Sequence, residues 1–345
     1  MRALETIKPF IERLDNVMVF KEGKIHTQKL KEPFHQIQVG SFNDLTEDAL
    51  KTLKNTVLKE YQGIDEVLNK ASFTTFIQVP KGFESDEKLY LFFLDGNHHE
   101  HIHINLGSSA KLNVFEYHLD DEAGSKNILE TITLGAYASL DIASLSAYDM
   151  NSKVIFNRQG FFQEKSESTM TLASFGDETL IQNTHVKLLG FQAKTNLTAI
   201  ALTSKQQVST IKSTIEHNAI ESEGELNHYG VANDESFLTF EGMGKIEKGM
   251  RQSKNHQHNK GVVLAPKARL DANPLLVIDE FDVEAGHGAA VGRIDEEQLY
   301  YMMSRGMDKK TSERLIVNGF LHPLDRYLDE AFKTHVQNLL TQKTL

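Results

Sequence analysis

The sequence contains no cysteine among its 345 residues. Without a thiol, the chain can form no disulfide, offer no thiolate ligand to a metal and use no cysteine nucleophile. If the protein takes part in the chemistry of sulfur or of soft metals, another chain must therefore supply the sulfur.

An excess of basic charge and long apolar runs are also missing. The formal net charge is -11 and the sequence pI is about 5.8, whereas binding to nucleic acid or to anionic membranes usually leaves a basic footprint. No apolar run approaches the roughly 20 residues that span a bilayer. The first residues, MRALETIKPFIERLDNV, carry acids where a signal peptide has an unbroken apolar stretch. We expect a cytoplasmic protein without nucleic-acid or membrane partners.

The first seventy or so residues have helical spacing. One apolar stripe comprises Leu4, Ile7, Phe10, Ile11 and Leu14. A second run begins at Asp44, with Glu47 three residues later in a capping-box pattern, and continues one face to about Leu68. The spacing predicts two helices joined by an irregular segment that is rich in glycine and proline.

From about residue 73 to 282, short alternating runs replace the helical spacing. Examples are TITLG, SLDIASL, TMTLASF, LTAIAL and VSTIKSTI, and alternation of this kind is typical of strands. A sandwich or barrel fits the pattern, and so does a parallel β-helix, in which each coil contributes a few strands. Because tight Asn-Gly or Asp-Gly hairpin signals are few, the pattern favours the β-helix.

Helical signals return after residue 294. Asp295 is placed to cap a helix that contains Leu299 and Met302 and ends at Gly306, and Asp308 is placed to begin a second helix that ends at Gly319. Pro323 is placed to open a last helix. Its apolar stripe comprises Leu324, Leu328, Ala331, Phe332, Val336 and Leu339. The chain is therefore predicted to be mainly β, with a helical region at 1–72, a β-helix core at 73–294 and a helical domain at 295–345.

The segment NHHEHIHINLG places four histidines around Glu100, and they are His98, His99, His101 and His103. On a strand, the last three share a face, and three imidazoles on one face can bind zinc. Alternating Ile102 and Ile104 also fit an ordinary half-buried strand. We favour the second interpretation, an exposed polar face on the first core strand.

The segment RQSKNHQHNKGVV concentrates basic and imidazole side chains ahead of an apolar strand. They are Arg251, Lys254, His256, His258 and Lys260. Such a cluster can hold an anion by charge-assisted hydrogen bonds. Solvated charge in a loop is the commoner explanation, so no chemistry is assigned to it.

The segment GHGAAVG at 286–292 resembles a nucleotide-binding loop only superficially. A dinucleotide fingerprint needs glycines that open a helix, whereas here the next helix is not predicted before Asp295, and no Walker lysine follows. The glycines instead let the backbone approach closely and leave space around His287. A lone histidine in a turn is most often structural.

The segment from Asn255 to Leu324 strongly resembles the C-terminal half of the SufB/SufD family, the scaffold proteins of the SUF iron–sulfur cluster assembly system. The matching blocks are PLLVI at 274–278, HGA at 287–289, VGRIDEEQLYY at 291–301, SRG at 304–306 and LIVNGF at 315–320. Several unrelated blocks in the same order make the resemblance specific. It is weaker from about residue 87 onward through the β region and slight in the first seventy residues.

The resemblance implies a right-handed parallel β-helix between helical terminal domains. It also implies that SufB-like and SufD-like chains pair at the ends of their β-helices and that the C-terminal helical domain docks the ATPase SufC. A cysteine desulfurase would supply sulfur indirectly. Because SufB-like chains are expected to carry a sulfur-accepting cysteine and this chain has none, it resembles SufD. A non-catalytic scaffold is implied, with a transient cluster shared with SufB and no cofactor of its own; whether the isolated chain forms a homodimer stays open.

The resemblance also assigns roles to individual residues. The histidine of the HGA block, here His287, is expected at the cluster-assembly interface, where a neutral imidazole can ligate iron. Family members often have a cysteine just before it, and in its absence Glu284 is the candidate for a second ligand. Tyr300, Tyr301 and Phe320 are candidates for ATPase docking, although each also fits an ordinary helix core.

Two other functions compete with the scaffold. A β-helix polysaccharide lyase or hydrolase usually needs clustered carboxylates or bound calcium, and no acidic ladder or export signal is evident in this sequence. A zinc-binding protein would use the cluster from His98 to His103. Metal analysis of the purified chain distinguishes the zinc protein from the scaffold.

Overall fold

The computed structural model describes residues 2–96, 98–120, 122–321, 324, 328 and 330–344. Its core is a parallel β-solenoid of about eight turns, built from two sheets and accompanied by small helices at both ends of the chain. The predicted mainly-β class and parallel β-helix core are confirmed. No helix within the described ranges is long and apolar enough to cross a membrane.

Each coil of the solenoid contributes one strand to each sheet. Sheet A contains β1 (Val17–Lys21), β2 (Lys24–Lys29), β5 (Glu84–Asp95), β7 (Lys111–Asp120), β9 (Ser139–Ala147), β11 (Glu167–Ser174), β13 (Lys194–Thr203), β15 (Glu223–Ala232), β17 (Lys254–Val263) and β19 (Glu284–Arg293). Sheet B contains β3 (Gln38–Gly40), β4 (Phe73–Val79), β6 (His99–Leu106), β8 (Ser125–Leu134), β10 (Lys153–Phe162), β12 (Thr179–Leu188), β14 (Val208–His217), β16 (Phe237–Ile246) and β18 (Arg269–Ile278). From β4 onward, every pairing within a sheet is parallel to the strand of the next coil.

Alternation along the strands creates the core. In β16, every second residue from Leu238 to Ile246 is buried, while the residues that alternate with them are half-buried. Because successive side chains of a strand point to opposite faces, the two sheets bury one apolar face each against the other. Phe93, Leu112 and Ile142 of sheet A belong to this interior cluster.

A repeated turn joins sheet B to sheet A in successive coils. In each of these turns, a non-glycine residue has a positive φ angle and donates its backbone N–H to a carbonyl one coil further on. The donors are Ser109, Tyr137, Lys165, Gln192, Glu221 and Gln252. The last bond of this series, from Gln252 N to Asp282 O, is 2.5 Å long. The turns therefore form a hydrogen-bonded ladder that runs to the final coil.

Among the described residues, six α-helices accompany the solenoid, and some of them cover the outer faces of the sheets. They are α1 (Arg2–Arg13), α2 (Glu47–Thr56), α3 (Ile64–Lys70), α4 (Glu296–Ser304), α5 (Lys309–Phe320) and α6 (Glu330–Thr344). Helices α1 and α6 pack on sheet A, where Phe332 stacks on Phe10 with ring centroids 4.1 Å apart. Helix α3 packs on sheet B through Ile64 and Val67, which contact Leu129.

The N-terminal region differs from the prediction of two helices. Strands β1 and β2 form an antiparallel pair, and β1 extends sheet A beside β5. Asp44 lies in a short 3-10 turn, where its carboxylate pairs with Ser41 in a capping box, instead of capping a helix with Glu47. The helix predicted to reach Leu68 is interrupted before Gly63, whose positive φ of 84° sets a new start for α3.

The C-terminal helices agree more closely with the sequence. Asp295 and Asp308 both cap their helices, each accepting backbone N–H bonds. The predicted stop at Gly319 is wrong, since α5 continues through Phe320. Pro323 and the side chain of Ala331 lie outside the described residues, while Phe332, Val336 and Leu328 are buried as predicted.

Candidate functional site at the open end of the solenoid

The last coil, formed by β18 and β19, is the open end of the solenoid. Within the described residues, each of these strands pairs with only one neighbour, β16 for β18 and β17 for β19. Both strands have ten residues, so two long backbone edges face outward. Such edges are templates for pairing with another chain.

Exposure of the apolar side chains confirms that nothing described covers this end. Val291, in register with buried Gly261 of β17, has a core-facing position and is nevertheless 43% exposed. The equivalent core-facing position in the preceding coil, Gly261, is instead enclosed, since a Cβ there would lie 2.7 Å from Leu270. The open end therefore presents the solenoid interior in cross-section.

His287 occupies a core-facing position of β19. It is in register with Gln257 of β17, which is fully buried between the sheets, and side chains of parallel in-register partners share a face. Val291, four residues further along the strand, would contact a Cβ on core-facing Gly261. Although it has a core-facing position, His287 is exposed because no coil follows β19 in the described structure.

The glycines beside His287 lie in a strand, not in a turn or a phosphate loop. The whole GHGAAVG segment belongs to β19, and the next helix begins only after Asp295. A Cβ at Gly288 would meet nothing within 4 Å, and one at Gly286 would touch only His256 at 3.8 Å. Both glycines are in register with outer-face residues of β17, His256 and His258, so their missing side chains leave the outer face of β19 open on the side opposite to His287.

Glu284 lies on the opposite face of β19 from His287. Its carboxylate is 3.2 Å from Nε2 of His256 and 3.7 Å from Nζ of Lys254. Residues three apart on a strand point to different sides, so the two predicted ligands are directed away from each other. The geometry gives Glu284 an ion-pairing role on the outer face.

The basic segment that was interpreted as a loop is strand β17. Lys254, His256, His258 and Lys260 alternate on its outer face, whereas Asn255, Gln257 and Asn259 alternate on its buried face. The prediction that these charges lie in a loop is therefore wrong, because they lie on a strand. Lys254 and His256 both lie beside the carboxylate of Glu284, as described above.

The buried face of β17 forms a polar layer directly beneath His287. Among the described residues, three of its buried atoms have no hydrogen-bond partner: Oδ1 of Asn255, Oε1 of Gln257 and Nδ2 of Asn259. Gln257 does donate to the carbonyl of Leu275 at 2.9 Å. Sequence reasoning missed this layer, although its signal is present, since KNHQHNK carries polar residues at every core-facing position. The exposed imidazole thus rests on a polar surface instead of an apolar one.

His101 of β6 is buried and His99 and His103 are half-buried, so the predicted exposed polar face is wrong. His101 is 2% exposed, and it packs edge-on against Phe42 of the N-terminal region with ring centroids 4.7 Å apart. Burial lowers the pKa of His101 to about 3 and that of His103 to about 4. Both rings contact the hydroxyl of Thr131, at 3.1 and 2.9 Å.

These neutral imidazoles are therefore satisfied by a neighbouring strand. No group of three or more potential metal ligands occurs among the residues that the structure describes. The geometry gives no support to a zinc site in the segment from His98 to His103.

The candidate docking residues of the C-terminal region fall into two groups. Tyr300 is 74% exposed and Tyr301 is 59% exposed, and helix α4 has no buried residue. Phe320, in contrast, packs edge-on against Tyr229 of sheet A, with ring centroids 5.8 Å apart. Helix α4 directly follows β19, so its exposed tyrosines belong to the same end of the chain as the open coil.

Comparison with known proteins identifies the class. The model of the SufBD core domain, described as SUF system FeS cluster assembly, matches residues 92–320. This match covers most of the solenoid and helices α4 and α5, so the chain belongs to the SufB/SufD family.

Within the family, the chain is a SufD-like member. It is 35% identical to the iron–sulfur cluster assembly protein SufD of Bacillus subtilis over 221 residues, which are 63% of this chain and 50% of that protein. It is 24% identical to SufD of Escherichia coli over 310 residues, which are 89% of this chain and 70% of that protein. The match thus spans half the length of one relative and more of the other.

Proposed function

We propose that this chain is a scaffold subunit of a SufB–SufC–SufD complex and that iron–sulfur clusters are assembled where its open end meets a SufB-like chain. Similarity to assembly proteins named SufD supports a role in the SUF system. The observation that carries the proposal is the last coil: within the described ranges its two strand edges are unpaired, and His287 on β19 is exposed at a core-facing position.

His287 is proposed to ligate iron of the nascent cluster. An imidazole binds iron when its ring nitrogen is unprotonated, and His287 is exposed on the last coil, where an ion and a second chain can reach it. Because the sequence contains no cysteine, sulfide and thiolate ligands would come from the partner. The cluster is cargo in this proposal, shared across the interface and transient.

Glu284 is a weaker candidate for the second ligand. Its carboxylate lies on the outer face of β19 and already pairs with His256. To reach an ion bound by His287, β19 would have to twist at its edge. We therefore propose His287 as the ligand from this chain and assign Glu284 to the surface around the interface.

Helix α4 is proposed as the docking surface for a SufC-like ATPase. Tyr300 and Tyr301 are exposed on a short helix that follows the open coil without a buried residue, and exposed aromatic residues are common interface anchors. Phe320 serves the fold instead, through its contact with Tyr229. In this proposal the chain itself is not an enzyme, hydrolysis of ATP belongs to the partner, and the complex works in the cytoplasm.

Co-purification tests the proposal. This chain would be co-expressed with the SufB-like and SufC-like chains of its own organism, and the purified material would be analysed for subunits, iron and acid-labile sulfide after reconstitution. We expect a stable complex that holds iron and sulfide. Failure to associate at micromolar concentration would refute the proposed function.

A double variant tests the docking surface separately. Tyr300→Ala with Tyr301→Ala is expected to release the SufC-like chain while the SufB-like chain stays bound, because the two surfaces are different. The matched control is Tyr137→Ala, an exposed tyrosine in a mid-solenoid turn. Full retention of SufC by the double variant would refute docking through α4.

A further inference from the structure

Phe281 is the most exposed large apolar side chain of the described structure. Its exposure is 102% of the reference value, whereas the other exposed large apolar residues range from 38 to 74%. It lies in the turn between β18 and β19, at the rim of the open end. A fully exposed phenylalanine leaves a large apolar area in water, which is unfavourable unless another surface covers it.

The turn that carries Phe281 is held rigidly. Oε1 of Glu280 accepts from the backbone N–H of Phe281 at 2.9 Å, and Oε2 accepts from that of Gly249 in the preceding coil at 2.9 Å. These backbone hydrogen bonds, that of Phe281 first, lower the pKa of Glu280. The carboxylate therefore braces the turn in its charged form.

Backbone bonds to the preceding coil fix both sides of this turn. Asp279 N donates to Ile246 O at 3.0 Å, Gln252 N donates to Asp282 O at 2.5 Å, and Glu284 N donates to Ser253 O at 3.0 Å. The turn between β18 and β19, which accepts the last hydrogen bond of the ladder, thus presents the ring of Phe281 on a preorganised backbone. Preorganisation of this kind reduces the entropy that binding has to overcome.

Two exposed carboxylates flank Phe281 in the turn. They belong to Asp279, two positions before it, and Asp282, one position after it. A surface that covers Phe281 would place its own rim against these carboxylates, and like charges across an interface are strongly unfavourable. The complementary surface is therefore an apolar pocket with lysine or arginine at its rim.

We infer that Phe281 is the anchor by which the open end is held to a SufB-like chain, inserting into an apolar pocket with a basic rim at the end of that chain's solenoid. The inference rests on the proposed function. Charge complementarity defines the rim of the pocket, and continuity with the two unpaired strand edges identifies the partner as one that can pair with strands. Phe281 thus holds the partner chain, whereas His287 ligates iron.

The test measures affinity of the full-length chain for the purified SufB-like chain by isothermal titration or interferometry. Truncation of an aromatic anchor typically weakens an interface at least about thirtyfold, so Phe281→Ala is expected to raise Kd by that factor or more without changing the urea midpoint of unfolding. Tyr137→Ala, an exposed aromatic residue on a ladder turn far from the end, is the matched control and should bind like the wild type.

Two further variants separate the parts of the inference. Glu280→Gln removes the charged brace and is expected to weaken binding less than Phe281→Ala does. Asp279→Asn with Asp282→Asn removes acidic groups of the rim, so its defect is expected to be clear at low salt and to shrink as salt rises, because exposed charges are screened. A defect of the double variant that is independent of salt would refute the basic rim.

The outcomes distinguish the inference from the function on which it rests. If Phe281→Ala binds the SufB-like chain as tightly as the wild type does, the anchor is refuted while the scaffold function stands. If the wild-type chain does not bind at all, both are refuted. If Phe281→Ala abolishes self-association in analytical ultracentrifugation and leaves SufB binding intact, the occupant is a second copy and the inference is wrong.

Discussion

The middle and the last coil of the solenoid use core-facing positions in opposite ways. Arg158 on β10 and His287 on β19 both have core-facing positions, but the coil of Arg158 lies between two others, whereas that of His287 has a neighbour on one side only among the residues that the structure describes. Arg158 is 1% exposed and His287 is exposed. The same strand geometry thus buries a polar group for stability in the middle and presents one for binding at the end.

The buried charged groups around Arg158 in the middle coils are paired with each other. Arg158 donates to Glu116 at 2.9 Å, to Ser144 at 3.1 Å and also to Glu130, all within the closed interior. Burial, and next the nearby carboxylate of Glu130, raise the pKa of Glu116 well above its ordinary value. A single guanidinium therefore balances a pair of acidic side chains, and little freedom remains for chemistry with an outside partner.

Breaking the cluster around Arg158 is expected to lower the free energy of unfolding more than any other change considered below. Arg158→Met leaves two buried carboxyl groups without their cation, and removal of one partner of a buried ion pair costs about 3–5 kcal/mol. Urea unfolding followed by circular dichroism measures the loss. Glu116→Gln is the control, because its amide oxygen still accepts from Arg158 and one like charge disappears, so a change within about 1 kcal/mol is expected. An unchanged urea midpoint for Arg158→Met would contradict the account of the middle coils.

The second largest effect is expected at low pH, where buried histidines of the closed coils lower the folding stability. Burial lowers the pKa of His228 to about 4, and His217 has the same direction, value and cause. The unfolded chain takes up these protons near pH 6.5 while the folded chain resists them until about pH 4, so stability falls as the pH drops through this window. Each such group contributes up to about 3 kcal/mol.

Unfolding free energies between pH 7 and 4 measure this dependence. His228→Gln removes one titrating group and is expected to flatten the pH dependence, whereas His26→Ala, at an exposed position of β2, is expected to leave it unchanged. The raised pKa of Glu116 opposes the trend, since it favours the folded state at low pH. Equal slopes for His228→Gln and the wild type would show that His228 is not held neutral in the folded state.

The same glycine-to-alanine substitution can be made in a closed coil and in the last coil, and the resulting changes in unfolding free energy can be compared. At Gly230 in β15, a Cβ would lie 2.3 Å from the ring of Phe240, so Gly230→Ala is expected to cost about 1–3 kcal/mol by overpacking. At Gly288 in β19, a Cβ would meet nothing within 4 Å. Gly288→Ala is therefore expected to change the unfolding free energy by less than about 0.5 kcal/mol. Similar losses for both variants would mean that the outer face of β19 is covered at Gly288.

Much of the fold was predictable because it follows from local alternation. The runs around TITLG, TMTLASF and VSTIKSTI all lie in strands, since alternation needs no knowledge of distant residues. Strand β1 was not predictable from spacing because its five residues are too short for a pattern, and its place is set by pairing with β5.

The candidate site was predictable in its residues but not in its geometry. The ordered motif blocks identified His287, whereas the separation of Glu284 onto the other face depends on strand assignment, which the glycines obscured. The burial of His101 depends on contact with Phe42, which lies 59 positions earlier in the chain. The exposure of Phe281 depends on where the coils end, which no local pattern records.

The most direct test of the account uses His287→Ala in the co-expressed complex. Because the ring is exposed on the edge of the last coil, the variant is expected to keep its unfolding free energy and its partners while bound iron and acid-labile sulfide fall to background. His26→Ala, treated in the same way, should retain both. Iron and sulfide at wild-type levels in the His287→Ala complex would contradict the claim that the open end of the solenoid presents a ligand for the cluster.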